Sequence, residues 1–122
     1  MIGHSLGAAF ILNYLEQTSK KIKAAFLVAG FHKLLNIPYD EINKTFVGKE
    51  FDWDKIKNNC GRFFVIASDN DEYIPLKMGK ELAKILDAKL TIIRNGGHIN
   101  KKSGFDKFPM LLESILKFNN NA

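Results

Sequence analysis

The sequence contains a single cysteine, one tryptophan and three prolines among its 122 residues. Because Cys60 is alone, an intrachain disulfide is excluded, and no cysteine and histidine cluster has the spacing of a zinc site. No apolar run approaches the ~20 residues of a membrane-spanning helix, and the first residues lack the layout of a signal peptide. These absences predict a cytoplasmic protein with no metal site and no membrane partner.

Arginine is also scarce, since only Arg62 and Arg94 accompany the lysines in a formal net charge of +5. The lysines occur as scattered pairs and singles, and no contiguous basic stripe with interleaved aromatic residues is present. We therefore expect a solvated basic surface and no nucleic-acid partner. What the sequence does contain is an ordinary globular composition, 46% hydrophobic and 25% charged. It predicts one domain over residues 1–122.

Short continuous apolar runs alternate with amphipathic segments along the chain. Runs of this length predict buried strands, and they cover Ala24–Ala29, Arg62–Ala67 and Lys89–Ile93. Apolar residues at three- and four-residue steps predict helices, which cover a segment beginning at Ser5, Lys77–Leu86 and Phe105–Phe118. The alternation is typical of the α/β class with a parallel sheet.

The stretch from Phe31 to Asn59 interrupts this alternation. It is too long for a connection between a strand and a helix, so we predict an insertion at about 31–59. One or two short helices are expected there, the clearest over Asp54–Cys60. Two interpretations of Trp53 are open, because this side chain could line a substrate entrance or anchor the insertion on the sheet.

The segment Gly3–Gly7 reads G-H-S-L-G and matches the G-x-S-x-G pattern of a nucleophile elbow. In such an elbow the two glycines remove side chains that would collide with a strained turn, and the serine stands at a helix N-terminus. The amphipathic helix that follows directly fits this interpretation. It makes Ser5 a candidate nucleophile and the backbone N–H of Leu6 a candidate oxyanion donor. The alternative is that the segment only caps a helix.

A candidate acid follows the strand at Arg62–Ala67. Four polar residues stand there, and we select Asp71 because the D-x-x-apolar-P pattern places a proline at the start of the next helix. Asp69 and Glu72 are interpreted as loop residues. Tyr73 comes just after the acid, where contact with substrate and simple packing are both open.

A candidate base follows the strand at Lys89–Ile93. His98 comes after a pair of glycines there, whereas His4 is the variable residue of the elbow and His32 begins the insertion. Open parallel sheets place their ligands at the carboxyl ends of strands, and the order serine, aspartate, histidine is that of α/β hydrolases. We therefore predict that Ser5 is the nucleophile, His98 the general base and then acid, and Asp71 the group that orients the imidazole.

Three segments resemble the small α/β serine hydrolases, the family of retinoblastoma-binding protein 9 and the bacterial YdeN proteins. They are Ile2–Ala8, then Trp53–Cys60 with the strand and Ser68–Pro75 that follow, and finally the Gly97-His98 pair. The resemblance implies the α/β-hydrolase fold, with a mostly parallel sheet in a three-layer arrangement. It also implies the triad Ser5, Asp71 and His98, and hydrolysis of small carboxylic esters or related acyl substrates without metal or cofactor.

In that family further β/α units precede the elbow, and an early loop supplies the second oxyanion N–H. Only Met1 and Ile2 precede Gly3 here. We therefore expect the C-terminal two-thirds of an N-terminally truncated α/β-hydrolase domain, with no strand before the elbow and with the strand at Ala24 exposed as a sheet edge. Two other functions are open: a non-catalytic remnant or protein-interaction module, and acyl transfer to an acceptor other than water.

Overall fold

The computed structural model describes residues 1–121, and four parallel strands form one sheet in the order β1-β2-β3-β4. The strands are β1 (Ile2–His4), β2 (Ala25–Val28), β3 (Phe63–Ser68) and β4 (Lys89–Ile93). The helices are α1 (Leu6–Gln17), α2 (Asp40–Val47), α3 (Trp53–Asn58), α4 (Leu76–Leu86) and α5 (Pro109–Asn121), with one turn of 3-10 helix at Lys101–Ser103. The predicted α/β class with a parallel sheet is confirmed.

A strand does precede the elbow, so the expectation that none would be present was wrong. β1 has three residues and pairs in parallel with β2, in the register Ile2 to Phe26 and His4 to Val28. β1 is therefore the outer strand, and β2 lies between β1 and β3 with all four of its residues buried. The expectation that β2 would be an exposed edge was wrong as well. Three residues are too few to show the periodicity that predicts a strand.

Helices pack on both faces of the sheet, closely on one face and only partly on the other. On one face, side chains from α1, α3 and α4 pack on the sheet in the main core, whose fully buried members include Leu12, Leu15, Leu27, Ile56 and Leu82. On the other face, a smaller cluster joins Val28 and Ile66 of the sheet to residues at the start of α5, among them Met110 and Leu111. Two layers of helices on a central sheet give the predicted three-layer arrangement.

The insertion contains two short helices, α2 and α3. Helix α3 covers Trp53–Asn58 rather than Asp54–Cys60, because the Asp52 side chain accepts a hydrogen bond from the Lys55 N–H and caps the helix one residue earlier. Helix α5 begins at Pro109 rather than Phe105, since a proline at the first helical position has no N–H that would need a partner. No helix within residues 1–121 is both long and apolar enough to cross a membrane.

Candidate active site

Ser5 occupies a strained turn between β1 and α1. Its backbone has φ 57° and ψ −119°, a region that non-glycine residues rarely adopt. The turn is held by main-chain hydrogen bonds, because the Ser5 N–H donates to the Val28 carbonyl at 2.8 Å and the Ser5 carbonyl accepts from the Ala8 N–H at 3.0 Å. Leu6 is the first residue of α1, so its N–H has no acceptor one turn earlier within the helix.

The two glycines of the motif differ in what surrounds them. A Cβ at Gly3 would lie 2.6 Å from the carbonyl carbon and oxygen of Gly7 and 2.7 Å from Ile11 Cδ1, so β1 can approach α1 only because Gly3 has no side chain. A Cβ at Gly7 would meet nothing within 4 Å among the described residues. The expectation that both glycines prevent a collision is therefore wrong for Gly7.

The structure brings Ser5, His98 and Asp71 into one continuous line of polar contacts. His98 Nε2 lies 3.0 Å from Ser5 Oγ, and His98 Nδ1 lies 2.9 Å from Asp71 Oδ2 and 3.1 Å from Asp71 Oδ1. The Asp71 side chain is almost completely buried, and its Oδ1 also accepts hydrogen bonds from the Tyr73 and Ile74 N–H groups at 2.9 and 3.0 Å. These donors replace the hydrogen bonds to water that the carboxylate loses on burial, and they fix its orientation toward the imidazole.

The loop that carries His98 is tied to the loop that carries Asp71. Asn70 Oδ1 accepts a hydrogen bond from the Gly97 N–H at 2.7 Å, and Asp69 Oδ1 accepts one from the Asn95 N–H at 2.8 Å. Three consecutive residues, 69 to 71, therefore each contact the loop formed by residues 95–98. Sequence reasoning gave Asp69 only a loop role and gave Asn70 none, because their partners are backbone groups that leave no pattern in the sequence.

His4 makes a further contact with the loop of His98 that sequence reasoning missed. Its Nε2 lies 2.8 Å from the backbone carbonyl oxygen of His98, so the ring donates through an Nε2–H. The two imidazole rings are tilted, with centroids 4.9 Å apart. The Tyr73 ring meets the His98 ring edge-on at 5.0 Å between centroids. His98 is therefore held through its backbone by His4 and flanked by Tyr73.

A cavity of about 350 Å³ opens beside Ser5 and His98. Leu6 and Tyr73 also line it, together with residues of the insertion, namely Phe31, Leu35, Ile37, Tyr39, Ile42 and Asn43. Trp53 is not among the lining residues; its ring packs against the rings of His32 and Phe51, with centroids 5.7 and 5.2 Å away. This placement favours the anchoring interpretation of Trp53.

No group of three or more histidine, cysteine, aspartate or glutamate residues could hold a metal ion within residues 1–121. Cys60 is buried, its Sγ donates to the Arg62 carbonyl at 3.3 Å, and burial raises the pKa of its thiol. A thiol with a raised pKa is a poor nucleophile at neutral pH. Ser5 is therefore the better placed candidate nucleophile.

Comparison with known sequences identifies the family of the chain. A family model described as serine hydrolase matches residues 1–117. The chain is 32% identical over 120 residues to YdeN of Bacillus subtilis (strain 168), covering 97% of this chain and 62% of YdeN. It is 30% identical over 116 residues to the serine hydrolase RBBP9 of Rattus norvegicus, covering 95% of this chain and 60% of RBBP9. The chain thus spans about three-fifths of the length of these relatives.

Similar solved structures identify the fold. The crystal structure of the ydeN gene product from B. subtilis is similar with a TM-score of 0.88 at 32% identity, covering 98% of this chain and 64% of that one. A serine hydrolase involved in carbazole degradation, the CarC enzyme, is similar with a TM-score of 0.67 at 15% identity, covering 99% and 63% of the two chains, which bears on the fold alone. The chain therefore belongs to the serine hydrolase family and has the α/β-hydrolase fold.

Proposed function

We propose that this chain carries the active site of a hydrolase that cleaves small carboxylic esters or related acyl substrates through an acyl-enzyme. Ser5 is the nucleophile, His98 is the general base and then the general acid, and Asp71 orients the imidazole. The observation that carries the proposal is the unbroken line from Ser5 Oγ to His98 Nε2 at 3.0 Å and from His98 Nδ1 to Asp71 Oδ2 at 2.9 Å.

In the first half-reaction Ser5 Oγ attacks the carbonyl carbon of the substrate while His98 Nε2 takes the hydroxyl proton. The 3.0 Å separation of these two atoms lies within the range for direct proton transfer. Asp71 accepts the Nδ1–H of His98, which keeps Nε2 free to act as a base and stabilises the imidazolium that forms. His98 then returns the proton to the departing alcohol, and Ser5 retains the acyl group as an ester.

Leu6 supports the same step through its backbone. The carbonyl oxygen of the substrate becomes negatively charged as Ser5 attacks, and we assign the Leu6 N–H, at the start of α1, as a hydrogen-bond donor to it. The partial positive charge at a helix N-terminus adds to this stabilisation. In the second half-reaction His98 takes a proton from water, the water attacks the acyl ester, and Ser5 leaves with the proton that His98 returns.

Covalent labelling and turnover test the proposal. The wild-type chain is expected to react with a fluorophosphonate probe and to hydrolyse p-nitrophenyl butyrate, and Ser5→Ala is expected to abolish both. Ser19→Ala removes an exposed hydroxyl that lies outside the site and is the matched control. Equal labelling of wild type and Ser5→Ala would exclude Ser5 as the nucleophile. A folded wild-type chain that neither labels nor turns over ester would favour the non-catalytic alternative.

A further inference from the structure

The 350 Å³ cavity has the reacting hydroxyl in its wall. Ser5, Leu6 and His98 all line it, so the residues proposed to supply the nucleophile, the oxyanion donor and the base border the same space. An acyl group bonded to Ser5 Oγ would lie against this wall and extend away from it. The chemistry of the remaining walls therefore determines which acyl groups are held well.

Those walls are mostly apolar and come chiefly from two parts of the chain, while Asn43 of α2 and Asn100 of the loop after β4 add two amide side chains. The insertion supplies aliphatic and aromatic side chains such as Leu35, Tyr39 and Ile42, and the loop after β3 supplies Tyr73 and Ile74. The two parts meet where the rings of Tyr39 and Tyr73 pack edge to face, with centroids 6.0 Å apart. Apolar walls of this kind bind a hydrocarbon group by removing it from water.

The described walls of the cavity offer a charged acyl group no carboxylate, ammonium or guanidinium as a counter-charge. Among the described residues that line it, none is lysine, arginine, aspartate or glutamate. The Asp40 carboxylate, at the first residue of α2, does not line the cavity; it accepts hydrogen bonds from the N–H groups of Leu35 and Asn36 at 3.1 and 2.7 Å and from the Asn43 side chain at 3.2 Å. A charged acyl group placed here would lose solvent without gaining a counter-charge, which is unfavourable.

From this lining we infer that the acyl group of the substrate is an uncharged alkyl or aryl group of medium length, held between the insertion and the loop after β3. The inference rests on the proposed function, because it takes Ser5 as the acylated residue. A cavity of ~150 Å³ accommodates benzene, so one of about 350 Å³ accommodates an acyl group of roughly six to twelve heavy atoms. Ile42, which is 57% exposed, is one of the lining residues, so a larger side chain there should shorten the acyl group that the cavity accepts.

Turnover of a series of p-nitrophenyl esters tests the length and the charge of the acyl group. Each methylene that leaves water improves binding up to about fourfold, so kcat/KM is expected to rise about tenfold or more from the acetate to the heptanoate. The ε-aminocaproate ester carries an ammonium group where the heptanoate carries a methyl group. We expect its kcat/KM to be about tenfold lower. A flat series, or equal kcat/KM for the two isosteric esters, would overturn the inference.

A pair of variants tests the place of binding. Ile42→Trp narrows the cavity and is expected to lower kcat/KM for the heptanoate about tenfold while leaving the acetate within about twofold. Ile92→Trp makes the same exchange at an exposed isoleucine of β4 that does not line the cavity, and it should leave the series unchanged. If Ile42→Trp lowered kcat/KM equally for the heptanoate and the acetate, the acyl group would not bind in this cavity.

Binding to Ser5→Ala separates this inference from the proposed function. Methyl heptanoate and methyl ε-aminocaproate can be compared by saturation-transfer NMR without any turnover. We expect the heptanoate to bind about tenfold more tightly, and Ile42→Trp in the same background to remove the difference. This pattern would support the cavity even if the wild type hydrolysed no ester. Turnover that depends on Ser5, together with equal binding of the two methyl esters, would overturn the cavity inference alone.

Discussion

The amide oxygen of Asn70 accepts a hydrogen bond from the backbone N–H of Gly97 at 2.7 Å. The same oxygen accepts one from Ser68 Oγ at 2.9 Å, so it links the end of β3 to the residue just before His98. Ile99, a β-branched residue, has a positive φ of 50°, which shows that the backbone next to His98 is held in an unusual conformation. Asn70 therefore ties the loop that carries His98 to the end of β3, through the backbone of Gly97.

Replacing Asn70 with alanine should lower activity more than stability. We expect Asn70→Ala to lower kcat/KM for p-nitrophenyl butyrate by about tenfold to a hundredfold, because a misplacement of about 1 Å in a catalytic group has effects of this size. Asn70→Asp keeps the acceptor oxygen and should restore most of the activity. Steady-state kinetics measure kcat/KM of both variants, and thermal unfolding measures their stability. Asn58→Ala, at an exposed asparagine, is the control. Wild-type kcat/KM in Asn70→Ala would show that Asn70 does not position His98.

His4 is expected to act on the same histidine from the other side. A single neutral hydrogen bond contributes about 0.5–1.5 kcal/mol, or roughly two- to thirteenfold in a rate constant. Since His4 donates to the His98 carbonyl, His4→Leu should lower kcat/KM by about that factor. Glutamine can donate from a similar position, so His4→Gln should lose less. Because His4 is exposed, neither variant should change the melting temperature greatly. Equal losses in the two variants would argue against the hydrogen bond.

His32 should make the fold sensitive to acid. The ring is buried, and neither of its nitrogens has a hydrogen-bond partner within residues 1–121. Burial lowers the pKa of His32, and Glu81, whose Oε1 lies 3.6 Å from Nε2, opposes this only in part. The folded state therefore takes up the proton at lower pH than the unfolded state, whose pKa is about 6.5. The free energy of unfolding should then fall as pH decreases below about 6.5.

His32→Leu tests this dependence directly. Protonation of His32 makes the free energy of unfolding fall by at most about 1.4 kcal/mol for each unit that the pH decreases. Leucine cannot take up a proton, so the variant should lack this contribution. Urea unfolding at pH 7.5 and pH 5, compared between wild type and variant, measures the difference. Parallel dependence of the two proteins on pH would mean that His32 does not titrate differently in the folded and unfolded states.

The strands β2 and β3 could be predicted from the sequence because each lies in a continuous apolar run bounded by polar or glycine residues. β4 was predicted as a buried strand as well, but it contains Lys89 and Thr91 and lies at the edge of the sheet, so none of its residues is buried. The approach of Asp71 to His98 could be predicted as well, since their loops leave the carboxyl ends of neighbouring parallel strands. β1 could not, because three residues carry no period, and its pairing with β2 depends on a strand more than twenty residues away.

The contacts of Asn70 and His4 were unpredictable for a different reason. Each side chain is bonded to a backbone group that is distant in the sequence, 27 residues away for Asn70 and 94 for His4. A backbone N–H or carbonyl is the same at every non-proline residue, so the partner has no signature in the sequence. Only the folded arrangement of the loops after β3 and β4 identifies these two positioning residues.

The two glycines of the elbow should respond oppositely to alanine. Gly3→Ala places a Cβ 2.6 Å from the Gly7 backbone, and because backbone cannot move aside as a flexible side chain can, we expect a loss of about 2 kcal/mol or more in the free energy of unfolding. Gly7 lies in α1, where alanine is favoured over glycine by about 1 kcal/mol. No described atom lies within 4 Å of a Cβ there, so Gly7→Ala should leave stability unchanged or raise it. Urea unfolding of the two variants and fluorophosphonate labelling of Ser5 measure both effects. Equal destabilisation by the two substitutions would contradict the close approach of β1 to α1 at Gly3.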